Sequence, residues 1–140
     1  MNAAPVGFEV RLSDTFDRAL DRVTAALNAE GFGVLTRIDV HTTLKEKIGA
    51  DFRPYAILGA CNPALAHRAL THRADVGLLL PCNVTVETAP DGRGSVVRIG
   101  DPDVMMTVGG LDAGPPLRAV AHEARARLER VAVALGARDS

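Results

Sequence analysis

Tryptophan is absent from these 140 residues and tyrosine occurs once. Phe8, Phe16, Phe32, Phe52 and Tyr55 are the only aromatic side chains, so the core must be built from Leu, Val, Ile and Ala, and platforms for stacking nucleic-acid bases are lacking. Basic excess is missing too: 16 Lys and Arg against 17 Asp and Glu leave a net charge of −1, too little positive charge to neutralise a phosphate backbone. Nucleic acid is therefore not an expected partner. No apolar run approaches the roughly 18–20 residues of a membrane-spanning helix, and the opening Met1-Asn-Ala-Ala-Pro-Val-Gly7 has neither a charged n-region nor an apolar h-region. A soluble, cytoplasmic protein with no membrane partner is the expectation.

Cysteine is nearly absent. Cys61 and Cys82 stand far apart without CxxC spacing, which neither forms a disulfide framework nor matches a zinc site, so two reduced thiols are expected. No Ser-His-Asp order, paired-carboxylate motif, P-loop or GxGxxG occurs, and whether the chain catalyses anything stays open. No cofactor is implied. Hydrophobic residues at 47% and charged residues at 24% are globular values, and the length suits a single domain, residues 1–140, around one continuous core.

Alternation of apolar and polar residues marks a first strand at Gly7–Leu12 and a second at Phe32–Val40. Between them Phe16, Leu20, Val23 and Leu27 recur at helical spacing after Ser13 or Asp14 as cap, with Gly31 closing the helix. The intervening helix makes the two strands parallel in expectation. Thr43 and Glu46 form a capping-box pattern before a short helix ending at Gly49. Tyr55–Cys61 reads as an apolar third strand, Asn62-Pro63 as a helix start, Ala64–Arg73 as a helix, and Gly77–Val86 as a fourth strand. In that strand Leu78, Leu80, Cys82, Val84 and Val86 share the inward face, Asn83 and Glu87 the polar one, and Pro81 implies an edge or bulge. Asp91-Gly92 turns the chain into a fifth strand at Ser95–Ile99. Asp101–Met106 suggests a helical turn or packed loop, Gly109–Pro116 a flexible segment, and Leu117, Val120, Ala121, Ala124, Leu128, Val131 and Leu135 the stripe of a final helix.

The order β-α-β-α-β-α-β-β-α points to an α+β domain. Its economical packing is a two-layer sandwich, a mixed sheet of about five strands with helices on one face.

The segments Gly31–Val40, Gly59-Ala-Cys-Asn-Pro63, Ala66–Leu70, Leu80-Pro-Cys82 and Asp101–Met106 together resemble the domain-of-unknown-function 302 family over nearly the whole chain. The resemblance implies a small α+β fold of the TT1751-like kind and a homodimer, and it implies no established activity.

Chemistry, where the residues suggest any, gathers at the third and fourth strands. Cys61 ends a strand beside the positive end of a helix, a place that favours thiolate and anions. Cys61, Asn62, Pro63, Cys82 and Asn83 are the candidate ligand-binding residues of a non-enzymatic binding or interaction module for a small-molecule or anionic ligand. The alternative is a thiol-dependent redox or soft-metal-handling protein using Cys61 and Cys82, with Met105 or Met106 and His41 or His67 as further soft-metal donors. Against it stands the reading of both thiols as small core hydrophobes, which free cysteines commonly are, and of Met105-Met106 as gap-filling core. His67 and His72 lie on different faces of their helix, and with His122 they read as solvated.

Overall fold

The computed structural model describes residues 2–111 and 114–136. Six strands, β1 (Asn2–Ala4), β2 (Gly7–Leu12), β3 (Gly33–Asp39), β4 (Tyr55–Cys61), β5 (Cys82–Thr88) and β6 (Ser95–Gly100), form one sheet in the order β1-β2-β6-β5-β4-β3. The helices are α1 (Phe16–Ala29), α2 (Val40–Ile48), α3 (Pro63–His72), α4 (Pro102–Val108) and α5 (Pro115–Ala134), and a 3₁₀ helix spans Ala74–Leu79. The fold is α+β. No helix among the described residues is long and apolar enough to cross a membrane.

Every neighbouring pair in the sheet is antiparallel, so the expected mixed sheet is corrected to an antiparallel one. β2 and β3 do run in the same direction, but three strands lie between them. The crossover through α1 carries the chain to the far edge of the sheet, where a neighbour-based argument does not reach.

One face of the sheet carries Phe8, Val10 and Leu12 of β2, Ala56, Leu58 and Ala60 of β4, Val84 and Val86 of β5, and Val97 and Ile99 of β6. These pack against Leu20, Val23 and Leu27 of α1, Leu128 and Val131 of α5, and Leu135 just past its end. Each fully buried Leu or Val stabilises by about 1.5–3 kcal/mol, more than a helix cap at about 1 kcal/mol, so this layer dominates stability. The cap of α1 is Thr15, whose hydroxyl accepts from the Arg18 N–H at 3.4 Å, not Ser13 or Asp14. In α2 the cap lies at Asp39 and no residue is buried; the Thr43-Glu46 pattern falls inside the helix.

The single continuous core expected is two clusters. The second joins Leu65 and Ala69 of α3, Val76 of the 3₁₀ helix, Met106 of α4, Leu111, and Leu117, Val120, Ala121 and Ala124 of α5. The 20-residue α5 spans both, which explains why its stripe ran unbroken in the sequence.

Two strand readings need correction. The register of β3 against β4 shifts between Val34 and Thr36, a bulge that leaves an extra residue and turns Thr36 and Ile38 to the opposite face from Val34. Ile38 is consequently 50% exposed. The expected strand Gly77–Val86 begins only at Cys82, because Gly77–Leu79 finish the 3₁₀ helix. Leu78 is 89% exposed rather than inward, while Cys82, Val84 and Val86 keep the face assigned to them. Residues 112–113 of the expected flexible segment lie outside the described residues; the part at Pro115 and Pro116 already belongs to α5.

Glu87 is not a solvated residue of a polar face. It is 2% exposed, and its two carboxylate oxygens accept from Arg53 Nε at 2.8 Å and Arg98 Nη1 at 2.6 Å. Arg98 also donates to Glu9 at 3.0 Å, so one guanidinium ties β2, β5 and β6 together across the face opposite the helices. A buried carboxylate stripped of a partner is costly. Arg98→Met, which keeps the apolar stem, is expected to destabilise the fold by about 1–3 kcal/mol, read as a lower urea midpoint; an unchanged midpoint would show that Arg53 alone satisfies Glu87.

Candidate functional site

The seam between the two hydrophobic clusters is incompletely filled. A cleft of about 270 Å³ opens there, bounded by the end of β4, the start of β5, the end of β6, and helices α3, α4 and α5. Phe32 and Ala60 of the first cluster form one wall; Leu65, Met106 and Val120 of the second form another. Small residues on the helices, Ala66 and Ala69 of α3 and Ala121 and Ala124 of α5, leave the space that larger side chains would occupy.

Four of the five candidate residues line it: Cys61, Asn62, Cys82 and Asn83. Pro63 does not; it is exposed at the first position of α3. The juxtaposition follows from the β4–β5 ladder, in which Ala60 pairs with Cys82 and Gly59 with Asn83. Gly59 is required in this ladder. A Cβ built there would run into the Thr36 hydroxyl and lie 2.7 Å from Pro81 Cγ, so only glycine lets Pro81 pack over β4 and aim Cys82 into its strand.

Asn62 is buried and engaged at both ends of its amide. Its Oδ1 accepts from the Leu65 N–H at 3.2 Å, capping α3, and its Nδ2 donates to the Glu30 carbonyl at 3.5 Å. Its neighbour across that contact is Gly31, whose φ of +84° and missing Cβ allow the approach. Asn62 thus positions the turn and the helix tip; the cleft receives little of its hydrogen-bonding capacity.

Both cysteines are free. Burial, and secondarily the neighbouring charge of Cys61, pushes the Cys82 thiol up from its ordinary 9.0 to about 11. His41 and His67 take no part. His41 accepts the Tyr55 N–H on Nδ1 at 3.0 Å, at the other end of β4 from Cys61, and His67 is exposed on α3. His72 and His122 are exposed as well. Among the described residues no group of three or more His, Cys, Asp and Glu is arranged to hold a metal.

The lining residues that sequence reasoning did not place come chiefly from α3, from Leu78–Pro81 and from α5, whereas the sequence already groups Met105 and Met106 of α4 with the cysteines. Asp101 caps α4, accepting the Asp103 N–H at 2.9 Å, and also accepts from Arg125 Nε of α5 at 3.0 Å; Asp103 meets His122 at 2.9 Å. These bonds clamp α4 to α5 with Met105 and Met106 lining the cleft. The Asp101-Pro102 cap was a legible helix start, but nothing local shows which side such a short helix presents.

A family profile described as "Domain of unknown function DUF302" matches residues 8–135. The chain belongs to the DUF302 family. A solved member, described as the crystal structure of an uncharacterized conserved protein DUF302 from Bacillus stearothermophilus, is similar to it at 30% identity and a TM-score of 0.82, over 94% of this chain and 98% of that one. None of the curated proteins compared with the chain matches it. The family description carries no activity, so functional inference within DUF302 has to start from the cleft.

The Cys82 shift has a testable sign. Unfolded, the thiol ionises near 9.0; folded, near 11. Between these values the folded state holds a proton that the unfolded state has released, so this group costs nothing below about pH 9 and lowers stability as pH rises toward 11. Chemical denaturation across that range should show the decline in the native protein and a flatter profile in Cys82→Ala. Equal slopes would assign the decline to other groups.

Proposed function

We propose that the protein is a non-enzymatic binding module that holds a small ligand in the cleft beside the Cys61-Asn62-Pro63 turn and Cys82. The observation that carries this reading is that one apolar cleft is lined by both cysteine residues and by Asn62 at the tip of α3. Its volume, about 270 Å³, falls just under the roughly 300 Å³ at the lower end of small-molecule pockets, which suits a compact ligand. Among the described residues, Asn62 and Asn83 are the only side chains in the lining that bear oxygen or nitrogen, so that lining offers apolar contact and sulfur rather than acid–base machinery. A reactive site of the usual kind would bring perturbed carboxylates, histidines or lysines to the cleft.

Occupancy of the cleft is testable with benzene as an apolar probe. Two-dimensional amide spectra are expected to shift on α3, at Leu80 to Asn83, on α4 and on the first half of α5. Ala66→Leu, at a half-buried position on α3, should abolish those shifts by filling the space. Shifts scattered over the surface, or unaltered by Ala66→Leu, would end the reading.

We propose separately that the module is cytoplasmic and a homodimer, the dimer being what its resemblance to the DUF302 family implies. Light scattering is expected to return twice the 14.7 kDa chain mass. A single-chain mass at working concentration would remove the dimer and leave the cleft untouched.

A further inference from the structure

The cleft has a closed inner end and an apolar mouth. Phe32 and Ala60, both buried, bound it inside, whereas Leu78, which also lines it, is 89% exposed. The stretch Leu78–Pro81 supplies four consecutive apolar residues to the lining. Leu70 of α3 stands beside this rim: it is 42% exposed, and its Cδ2 lies 3.8 Å from where a Cβ on Gly77 would be. The 3₁₀ helix buries Val76 in the second cluster and leaves Leu78, two residues on, in water. Exposed apolar groups that adjoin one another mark an interaction site, and this lip is continuous with the lining of a cleft.

The lining decides what enters. Among the described residues no Asp, Glu, His, Lys or Arg side chain borders the cleft, and the Asn62 amide is already bonded at both ends. A charged or hydrogen-bonding group sunk into this space would lose its water without gaining a partner. The buried part of the ligand is therefore hydrocarbon, and a polar end stays outside. On α3 and α5 the lining repeats one spacing, Leu65, Ala66 and Ala69 on the first and Val120, Ala121 and Ala124 on the second, so aliphatic side chains line the space along a turn of each helix, about 5.4 Å. Met105 and Met106 of α4 add unbranched side chains that adjust to a flexible guest. A compact molecule swallowed whole leaves the lip bare. A chain that fills the cleft and continues across Leu78 and Leu70 covers both.

We propose that the cleft binds a single-chain amphiphile by its linear alkyl chain, with the inner methylenes between α3 and α5, the outer ones on Leu78 and Leu70, and the polar end in solvent. The proposal rests on the cleft being the ligand site and names the ligand class. Recognition is by length rather than by head group. Each methylene brought out of water adds affinity until cleft and lip are covered, and the sign of the head-group charge matters little because nothing charged lines the cleft. The ion pairs of Asp101 with Arg125 and of Asp103 with His122 hold the methionine wall in place from outside the cleft.

The test titrates the full chain by calorimetry with hexanoate, decanoate and decyltrimethylammonium, each kept below its micelle concentration, and locates the site by amide spectra. Decanoate is expected to bind at least about tenfold more tightly than hexanoate, from the added methylenes, and to agree within about tenfold with decyltrimethylammonium, whose head group carries the opposite charge. Both decyl probes should shift α3, Leu78 to Asn83 and the first half of α5. Leu78→Ser, a change at an exposed position, should cut the gain of decanoate over hexanoate at least about threefold; a general loss of stability lowers both affinities alike and leaves that gain as it was. A smaller chain-length gain, a larger head-group preference, or a gain that survives Leu78→Ser overturns the proposal. A protein that takes benzene but shows no chain-length gain keeps its cleft for compact ligands, whereas one that takes neither benzene nor decanoate loses both readings.

Discussion

The pairing of β4 with β5 is the constraint on which the rest of the molecule depends. Its register sets Ala60 against Cys82 and Gly59 against Asn83, and from that alignment the last residue of one strand and the first of the next open into the same space. Slipping β5 by one residue against β4 would turn Val84 and Val86 out of the helix-facing core. The apolar set enforces the register, and the register in turn delivers the thiols. Stability and site thus share a cause, and the buried Glu87 with its two arginines secures the same strand from the opposite face.

The cleft exists because α5 serves two cores at once. Its second half seals the sheet through Leu128, Val131 and Ala132, and its first half packs on α3 and α4 through Leu117, Val120 and Ala121. One helix shared by both clusters leaves a seam where they meet. Small side chains on α3 and α5 keep the seam open, and the bonds from Asp101 and Asp103 to Arg125 and His122 hold α4 beside it.

Local chemistry was legible wherever it was settled by neighbouring residues. Asn62 and Pro63 announce a helix start, and the start is there, with Asn62 as cap. The Asp91-Gly92 turn joins two antiparallel strands, with the Arg93 N–H bonded to Asp91 at 2.9 Å and φ +77° at Gly92. The stripe of the last helix is buried as its spacing implies. Errors fell where distant contacts overrode local pattern. Leu78 and Leu80 alternate like strand residues, yet the chain there forms a 3₁₀ helix that buries Val76 between α3 and α5. Ile38 continues the alternation of Val34, yet the bulge reverses it. Glu87 looked solvated because its partners, Arg53 and Arg98, are remote in sequence.

By itself the sequence determined the α+β class, the helix that follows Cys61, the hairpin and the apolar stripe of α5, since periodicity, caps and turns act over a few residues. Only the tertiary structure decided the antiparallel strand order, the split of the core into two clusters and the meeting of Cys61, Cys82, Met105 and Met106 in one cleft. These depend on which surfaces meet after crossovers tens of residues long, and that choice is made by total apolar burial across the whole chain rather than by any segment's own preference.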